Sequence, residues 1–342
     1  MGMHGPGSNR RGARPLVGRL FAVCLLAACS STAPEATAPD TTSVARPAAR
    51  TAGEPVDDRA RAAVDPSAVQ RPAVVHVLGT LALLPESPAA IPQQVTPLQD
   101  DLVSLITLGC APGTDGCTSD RIDALAAADV EVVNVASAAV GSTDADQVGA
   151  AVASLGAAGI EVTGWGENRA SAVEPVRIAA AGQTIALHAI SLAEDGLERS
   201  AHATESTAGI AGPDAFAELL VAMAASQSAG DRVVVAVDWG DAERRSPDGE
   251  IVDLATALVR AGADAVVGSG SEFLNRLEVI EGAPVAFDLG QAATATDDAL
   301  RRDTAVLRVV FNGDADAACL LPATASATGP SLDSTDEPVC NR

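Results

Sequence analysis

Residues Asp231–Ala292 read DRVVVAVDWGDAERRSPDGEIVDLATALVRAGADAVVGSGSEFLNRLEVIEGAPVAFDLGQA, and this stretch decides the fold class. Val233-Val234-Val235-Ala236-Val237 is apolar at every position, so neither alternating face is built for water, as in a central strand covered on both sides. From Asp248 the period changes to that of a helix. Asp248 can cap it, Glu250 falls in its first turn, and Ile251, Leu254, Ala255 and Leu258 make one apolar stripe. Arg260 lies in the last turn and Gly262 ends it. Ala265–Val267 and Val285–Phe287 are short apolar runs of strand type. Strand, helix and strand in this order predict an α/β domain.

Working outward, further strands are predicted at Val74–Leu78, Val130–Val135, Thr184–Ile190 and Val306–Phe311. A second helix is predicted from Pro213, burying Phe216, Leu219, Leu220 and Met223. The globular part runs over 73–342, one large domain by length. Residues 29–72, rich in Ala, Pro, Thr and Ser without an apolar period, read as a disordered tether. Residues 1–28 read as a signal peptide. Arg10, Arg11, Arg14 and Arg19 precede the apolar run Leu20–Ala28, and Leu26-Ala27-Ala28-Cys29 is the bacterial lipoprotein pattern, in which cleavage exposes Cys29 for acylation. The run falls short of the ~20 residues that span a bilayer. An ordinary cleaved secretory signal is the alternative. The expectation is an exported chain, held on the outer face of the cell membrane by lipid on Cys29.

Charge limits the partners. All 22 basic residues are arginine, four of them before Cys29, where no acid occurs. A chain beginning at Cys29 therefore sets 18 arginines against 45 acids, a net of −27. Such a surface repels nucleic acid, and no nucleic-acid partner is expected. Beyond Cys24 in the signal and Cys29, four cysteines remain, and in an oxidising compartment they most simply pair as Cys110–Cys117 and Cys319–Cys340. Loop closure gives these bridges about 2.5 and 3.4 kcal/mol. A zinc site competes poorly, since neither spacing is that of a zinc pair and no histidine is near.

Two stretches go beyond a generic α/β reading. Val132–Leu192 is similar to a block of the CapA (poly-γ-glutamate capsule synthesis) family, with a strand ending in Ala-Asn-Asn-His, a helix, Gly-Ile, a Gly-x-Gly turn and two strands. Asp231–Ala292 resembles the block carrying His-Trp-Gly, a long helix, Ala-Gly-Ala-Asp, Gly-His-His-Pro-His and Tyr-Ser-Leu-Gly-Asn-Phe. Thr304–Ala323 resembles that family's terminal strands. The resemblance implies a metallophosphatase-like four-layer sandwich, two mixed β-sheets flanked by helices, with a metal-binding crevice at the carboxyl ends of strands. It also implies an envelope role in capsule or poly-γ-glutamate biosynthesis.

The family's ligand positions are degenerate in this chain. Val-Gly-Asp becomes Leu78-Gly79-Thr80, and no counterpart of Asn-Leu-Glu is visible between Pro85 and Ala128. Asn-Asn-His becomes Ser137-Ala138-Ala139, His-Trp-Gly becomes Asp238-Trp239-Gly240, and Gly-His-His-Pro-His becomes Gly268-Ser269-Gly270-Ser271-Glu272. The final Asn becomes Gln291. The four histidines are placed elsewhere, His4 in the signal, His76 and His188 in strands and His202 in a polar loop. A two-metal imidazole site is therefore not expected, and neither is a cofactor. The alternative is a rebuilt acidic site in which Asp238 and Glu272, with Asp241 or Asp288, hold Mg²⁺, Mn²⁺ or Ca²⁺ through oxygen. Arg244 and Arg245 either meet an anionic ligand or form a solvated turn before Pro247. Trp165 and Trp239, in Gly-flanked turns, are either sugar platforms at the crevice rim or plugs of the core. No histidine accompanies Gly268-Ser269-Gly270-Ser271 as a triad would need, and Gly164-Trp165-Gly166 lacks the third glycine of a dinucleotide fingerprint. Three functions follow: a non-catalytic lipoprotein binding or scaffolding an envelope polymer, glycan or export machinery, a residual metal-dependent phosphoesterase, or an envelope spacer.

Overall fold

The structure, a computed structural model, describes residues 72–82, 102–114, 117–118, 122–128, 130–193, 201–240, 244–313, 316–327, 329–332 and 338–341. All fall in one compact unit, Val64–Arg342. The lipoprotein pattern with Cys29, the tether, His4 and Asp241 lie outside the described residues.

The chain begins in one sheet, builds a second, and returns to the first. β1 (Ala73–Leu81), β2 (Leu102–Leu108), β3 (Val132–Asn134) and β4 (Glu161–Thr163) are parallel neighbours. β5 (Trp165–Gly166) pairs later with β8 (Gly209–Ile210) in a two-stranded ladder. β6 (Val176–Ala180), β7 (Gln183–Ser191), β9 (Arg232–Asp238), β10 (Ala265–Ser269), β11 (Leu277–Ile280) and β12 (Ala283–Ala286) form a six-stranded sheet in the order β11-β12-β10-β9-β7-β6. The chain then rejoins the first sheet with β13 (Gln291–Ala293), β14 (Asp303–Phe311), β15 (Ala317–Thr324), β16 (Ser331–Leu332) and β17 (Val339–Asn341). That sheet has nine strands in the order β16-β15-β14-β1-β2-β3-β4, with β13 on β1 and β17 on β15. Both sheets are mixed, as expected.

Four layers result. Val75, Val77, Val103, Leu105 and Val132 of the first sheet share one core with Ile185, Leu187, Val234 and Val266 of the second. On the second sheet's far side this core continues into Leu219 and Met223 of the helix Phe216–Ala229 and Ile251, Ala255 and Leu258 of the helix Gly249–Arg260. A separate core lies outside the first sheet, where Ile106, Leu108 and Val133 meet Leu125 and Leu155 of the helices Ile122–Ala126 and Ala145–Ala157. At about 25 cal/mol per Å² of apolar surface removed from water, these three seams supply the main driving force.

The helix expected from Asp248 forms as its sequence dictates: Asp248 accepts from Ile251 N at 3.0 Å, and Gly262 follows at φ +107°. The helix expected from Pro213 starts with a 3₁₀ turn, Pro213–Ala215, and buries Leu219 and Met223, while Phe216 and Leu220 are only partly covered. β2 had no counterpart in the sequence reading. Val103 and Leu105 face the shared core, and Ile106 and Leu108 the outer one. Ser104 and Thr107 interrupt its two faces in turn, so it shows neither the unbroken apolar run of β9 nor an alternation.

Candidate functional site

The carboxyl ends of the parallel strands meet at one crevice between the sheets. β1 brings Thr80, β2 Thr107, β3 Asn134, β7 Ser191, β9 Asp238 and β10 Ser269. Segments following β3 and β10 add Ser137–Ala139 and Gly270–Glu272, the turn after β12 adds Asp288 and β13 adds Gln291, so the positions marked by the resemblance lie at one end of the sheets.

Asp238, 2 % exposed, is the centre. Its carboxylate accepts from Gly240 N at 2.8 Å, from Ser191 Oγ at 3.4 Å and from Ala138 N across the inter-sheet seam. Burial raises its pKa, against these three hydrogen bonds, which favour the anion. Asp288, 1 % exposed, accepts from Ser271 N, Ser271 Oγ and Gly290 N, each at 2.8 Å. Burial pushes it up to about 7; the bonds from Ser271 and Gly290 pull it down and the nearby Asp238 adds to the rise. Both acids are thus consumed as internal acceptors.

Packing fills the remaining space. A Cβ on Gly270, at the second histidine of the resembled motif, would stand 2.3 Å from Asp238 Oδ1, and Gly270 sits at φ +105°. The space an imidazole would need is occupied by the Asp238 carboxylate. β2 ends at Thr107-Leu108-Gly109, beside β1, and a Cβ on Gly109 would come within 2.0 Å of Thr80 Cγ2. Thr107 Oγ1 accepts from Asn134 Nδ2 at 3.2 Å, and Asn134 Oδ1 accepts from Ala136 N at 2.8 Å. Ser137 caps the short helix Ala138–Gly141 and donates to Leu108 O at 2.6 Å. Thr80 Oγ1 and Gln291 Oε1, register partners on β1 and β13, are buried without hydrogen-bond partners.

Glu272 departs from the sequence expectation. It has φ +63° and pairs with Arg301, whose guanidinium stacks on the Phe273 ring at 5.0 Å. Asp238 faces the seam while Glu272 is turned to this rim cation, because the ion pair leaves its carboxylate partly in solvent. Among the described residues no group of three or more His, Cys, Asp and Glu side chains is gathered to hold an ion. The donors present do not fit a two-metal centre: the amide oxygens of Asn134 and Gln291, hydroxyls and two acids already bonded to backbone cannot replace bridging carboxylates and imidazoles.

The other singled-out residues have structural surroundings. Trp239 Nε1 donates to Phe287 O at 2.9 Å, and the hollow beside it measures about 10 Å³, room for about one water and no sugar. Trp165, half-buried, packs on the outer core against Gly149 of the helix Ala145–Ala157. Arg244 pairs with Asp248, and Arg245 stacks on Phe273 at 4.9 Å. His188 Nδ1 lies 3.0 Å from Val173 O and Nε2 3.1 Å from Ser226 Oγ. His202 is no loop histidine in solvent, since its ring is wedged between Gly141 and Gly212, where added Cβ atoms would meet it at 2.6 and 2.4 Å. A cavity of about 300 Å³ opens on the outer core, lined by residues such as Leu108, Ile122, Leu125 and Leu155, and among the described residues no titratable side chain lines it. The sequence reading missed Ser191, Asn134, Thr107 and the Ala138 amide, since a backbone donor and small hydroxyls leave no motif.

The family model of the bacterial capsule synthesis protein PGA_cap matches residues 116–295. Among solved structures, the crystal structure of TT1561 of Thermus thermophilus is similar over 69 % of this chain and 94 % of that one, with 10 % identity and a TM-score of 0.41. No curated protein matches the chain.

Proposed function

The chain belongs to the bacterial capsule synthesis protein family, and from that premise we propose that it is a lipid-anchored envelope protein that binds or scaffolds rather than catalyses. Its partners would be an envelope polymer, a glycan or the export machinery, with Cys29 carrying the lipid. One observation carries the reading. The Asp238 carboxylate, at a ligand position of the resembled motif, is bound by Ala138 N, Gly240 N and Ser191 Oγ, and so acts as a clamp between the two sheets. An acid used in this way stabilises the fold, and three of its four acceptor positions are already taken by the protein. Its neighbours support the same reading, because Gly109 and Gly270 fit only where no larger side chain projects.

The competing reading is a phosphoesterase using Mg²⁺, Mn²⁺ or Ca²⁺ on Asp238 and Glu272. Elemental analysis of the purified chain after dialysis against each ion separates the two, together with hydrolysis of bis(p-nitrophenyl) phosphate. Neither stoichiometric ion nor turnover above buffer is expected. A stoichiometric ion, with turnover that disappears in a folded Asp238→Ala variant, would return the chain to the enzymes. Fractionation of expressing cells tests the anchor: the chain should sediment with membranes, and Cys29→Ser should release it.

A further inference from the structure

The two disulfides sit in opposite settings. Cys110 and Cys117 are 8 % and 4 % exposed and belong to the outer core. Cys319 is half-buried and Cys340 is exposed. They are direct register partners on β15 and β17, so their bridge lies across neighbouring strands at a sheet edge. β17 is held to β15 by three residue pairs, Ala318↔Asn341, Cys319↔Cys340 and Leu320↔Val339, and it also lies beside β11 of the second sheet.

One fixed cation, Arg308, stands beside this bridge. Cys319 stands opposite Arg308 of β14, and Arg308 stands opposite His76 of β1. Directly paired residues project from the same face of a sheet, so Arg308 and Cys319 are side-chain neighbours. Arg308 Nε is buried without an acceptor. A guanidinium remains charged at any physiological pH. A thiolate formed on Cys319 would therefore appear next to a fixed cation with a donor to spare, the setting that lowers a thiol's pKa.

We propose that Cys319–Cys340 is a thiol-exchange site, opened by a dithiol of the thiol–disulfide oxidoreductase class, and that its opening releases the C-terminal strand. The thiolate of the donor attacks the exposed Cys340 Sγ. A donor–Cys340 bond forms as the Cys319–Cys340 bond breaks, and the electron pair leaves on Cys319 Sγ, where Arg308 stabilises it. The donor's second thiol, once deprotonated, attacks the donor's first sulfur. This closes the donor disulfide and expels Cys340 as a thiolate, which takes up a proton. Two electrons pass from the donor to the protein, so the donor is oxidised and the pair reduced. Three residues on an edge do not hold a strand by themselves, so β17 detaches. The edge of β15 at Ala318–Leu320 then offers unpaired backbone groups to an added strand.

The test uses the full chain under native conditions, titrated with dithiothreitol, alkylated with iodoacetamide and mapped by peptide mass. Cys319 and Cys340 should be labelled at a reductant concentration that leaves Cys110 and Cys117 unlabelled and tryptophan fluorescence unchanged. Those amides of Ala318–Leu320 that point toward β17 should then lose their protection from hydrogen exchange, while those bonded to β14 keep it. Arg308→Gln should slow the opening about threefold for each unit by which the Cys319 thiol pKa rises, and Arg308→Lys, which keeps the charge, should restore most of the rate. Labelling of all four cysteines together, labelling that accompanies unfolding, or unchanged protection of Ala318–Leu320 would each overturn the proposal.

Discussion

Asp238 ties the two sheets together at the crevice. Three donors converge on its carboxylate, and two of them are backbone N–H groups that folding has taken out of water. A hydrogen bond to a charged acceptor contributes about 1.5–3 kcal/mol, and a buried donor stripped of its acceptor costs a similar amount. Asp238→Ala is therefore expected to destabilise the chain by about 3 kcal/mol in urea unfolding followed by circular dichroism. A loss below about 1 kcal/mol would mean that the crevice is closed by something other than this side chain. Gly270 marks the same closure from the opposite side, because its φ of +105° and its proximity to Asp238 Oδ1 both exclude a side chain there.

Among the elements, the helix Gly249–Arg260 follows local rules throughout. Its N-cap is Asp248, its first turn holds Glu250, and Ile251, Ala255, Leu258 and Val259 are buried. The bond from Ile251 N is the first cause holding the Asp248 pKa down, with the Arg244 side chain adding to it. Asp248→Ala should cost about 1 kcal/mol, nearly all from the lost cap, since the partly exposed pair with Arg244 adds little. Chemical denaturation of wild type and variant measures it, and an unchanged midpoint would show that tertiary packing alone starts this helix. β2 is the opposite case. Leu102–Leu108 is placed by pairing with β1 on one side and β3 on the other, and no local signal marks it out.

At the scale of the molecule, the buried titratable groups oppose one another. Burial holds His76 and His188 at about 4, with the Arg308 charge adding to the drop at His76. The unfolded chain takes up protons on these rings that the folded one refuses. Their contribution is complete above the ordinary value near 6.5 and drains as pH falls toward 4. Asp288 acts in the reverse sense: held at about 7, it contributes fully below its ordinary 3.8, and that contribution is lost as pH rises through 7. Asp238 leans the same way as Asp288. His76 gives the cleanest measurement, because both its ring nitrogens are buried without partners and its removal breaks no hydrogen bond. His76→Leu should stabilise the chain at neutral pH. Below pH 6.5 it should also flatten the acid limb by up to one proton, about 1.4 kcal/mol per pH unit. Parallel wild-type and variant curves of unfolding free energy against pH would show that the ring is not held neutral.

The sequence by itself determined the fold class, the two disulfide pairings and the helix at Asp248. All of these rest on nearest neighbours or on residue type: an apolar run, a cap and two short cysteine spacings. Tertiary structure alone decided what the surviving acids do. Asp238 accepts from Ala138 N, a hundred residues away on the helix that follows β3 of the other sheet. Glu272 was drawn to Arg301 on the short helix Ala299–Arg302 between β13 and β14 of the first sheet, and Trp165 was drawn to Gly149 by helix packing. Such partners are brought together by the stacking of two sheets, and the spacing along the chain holds no record of it.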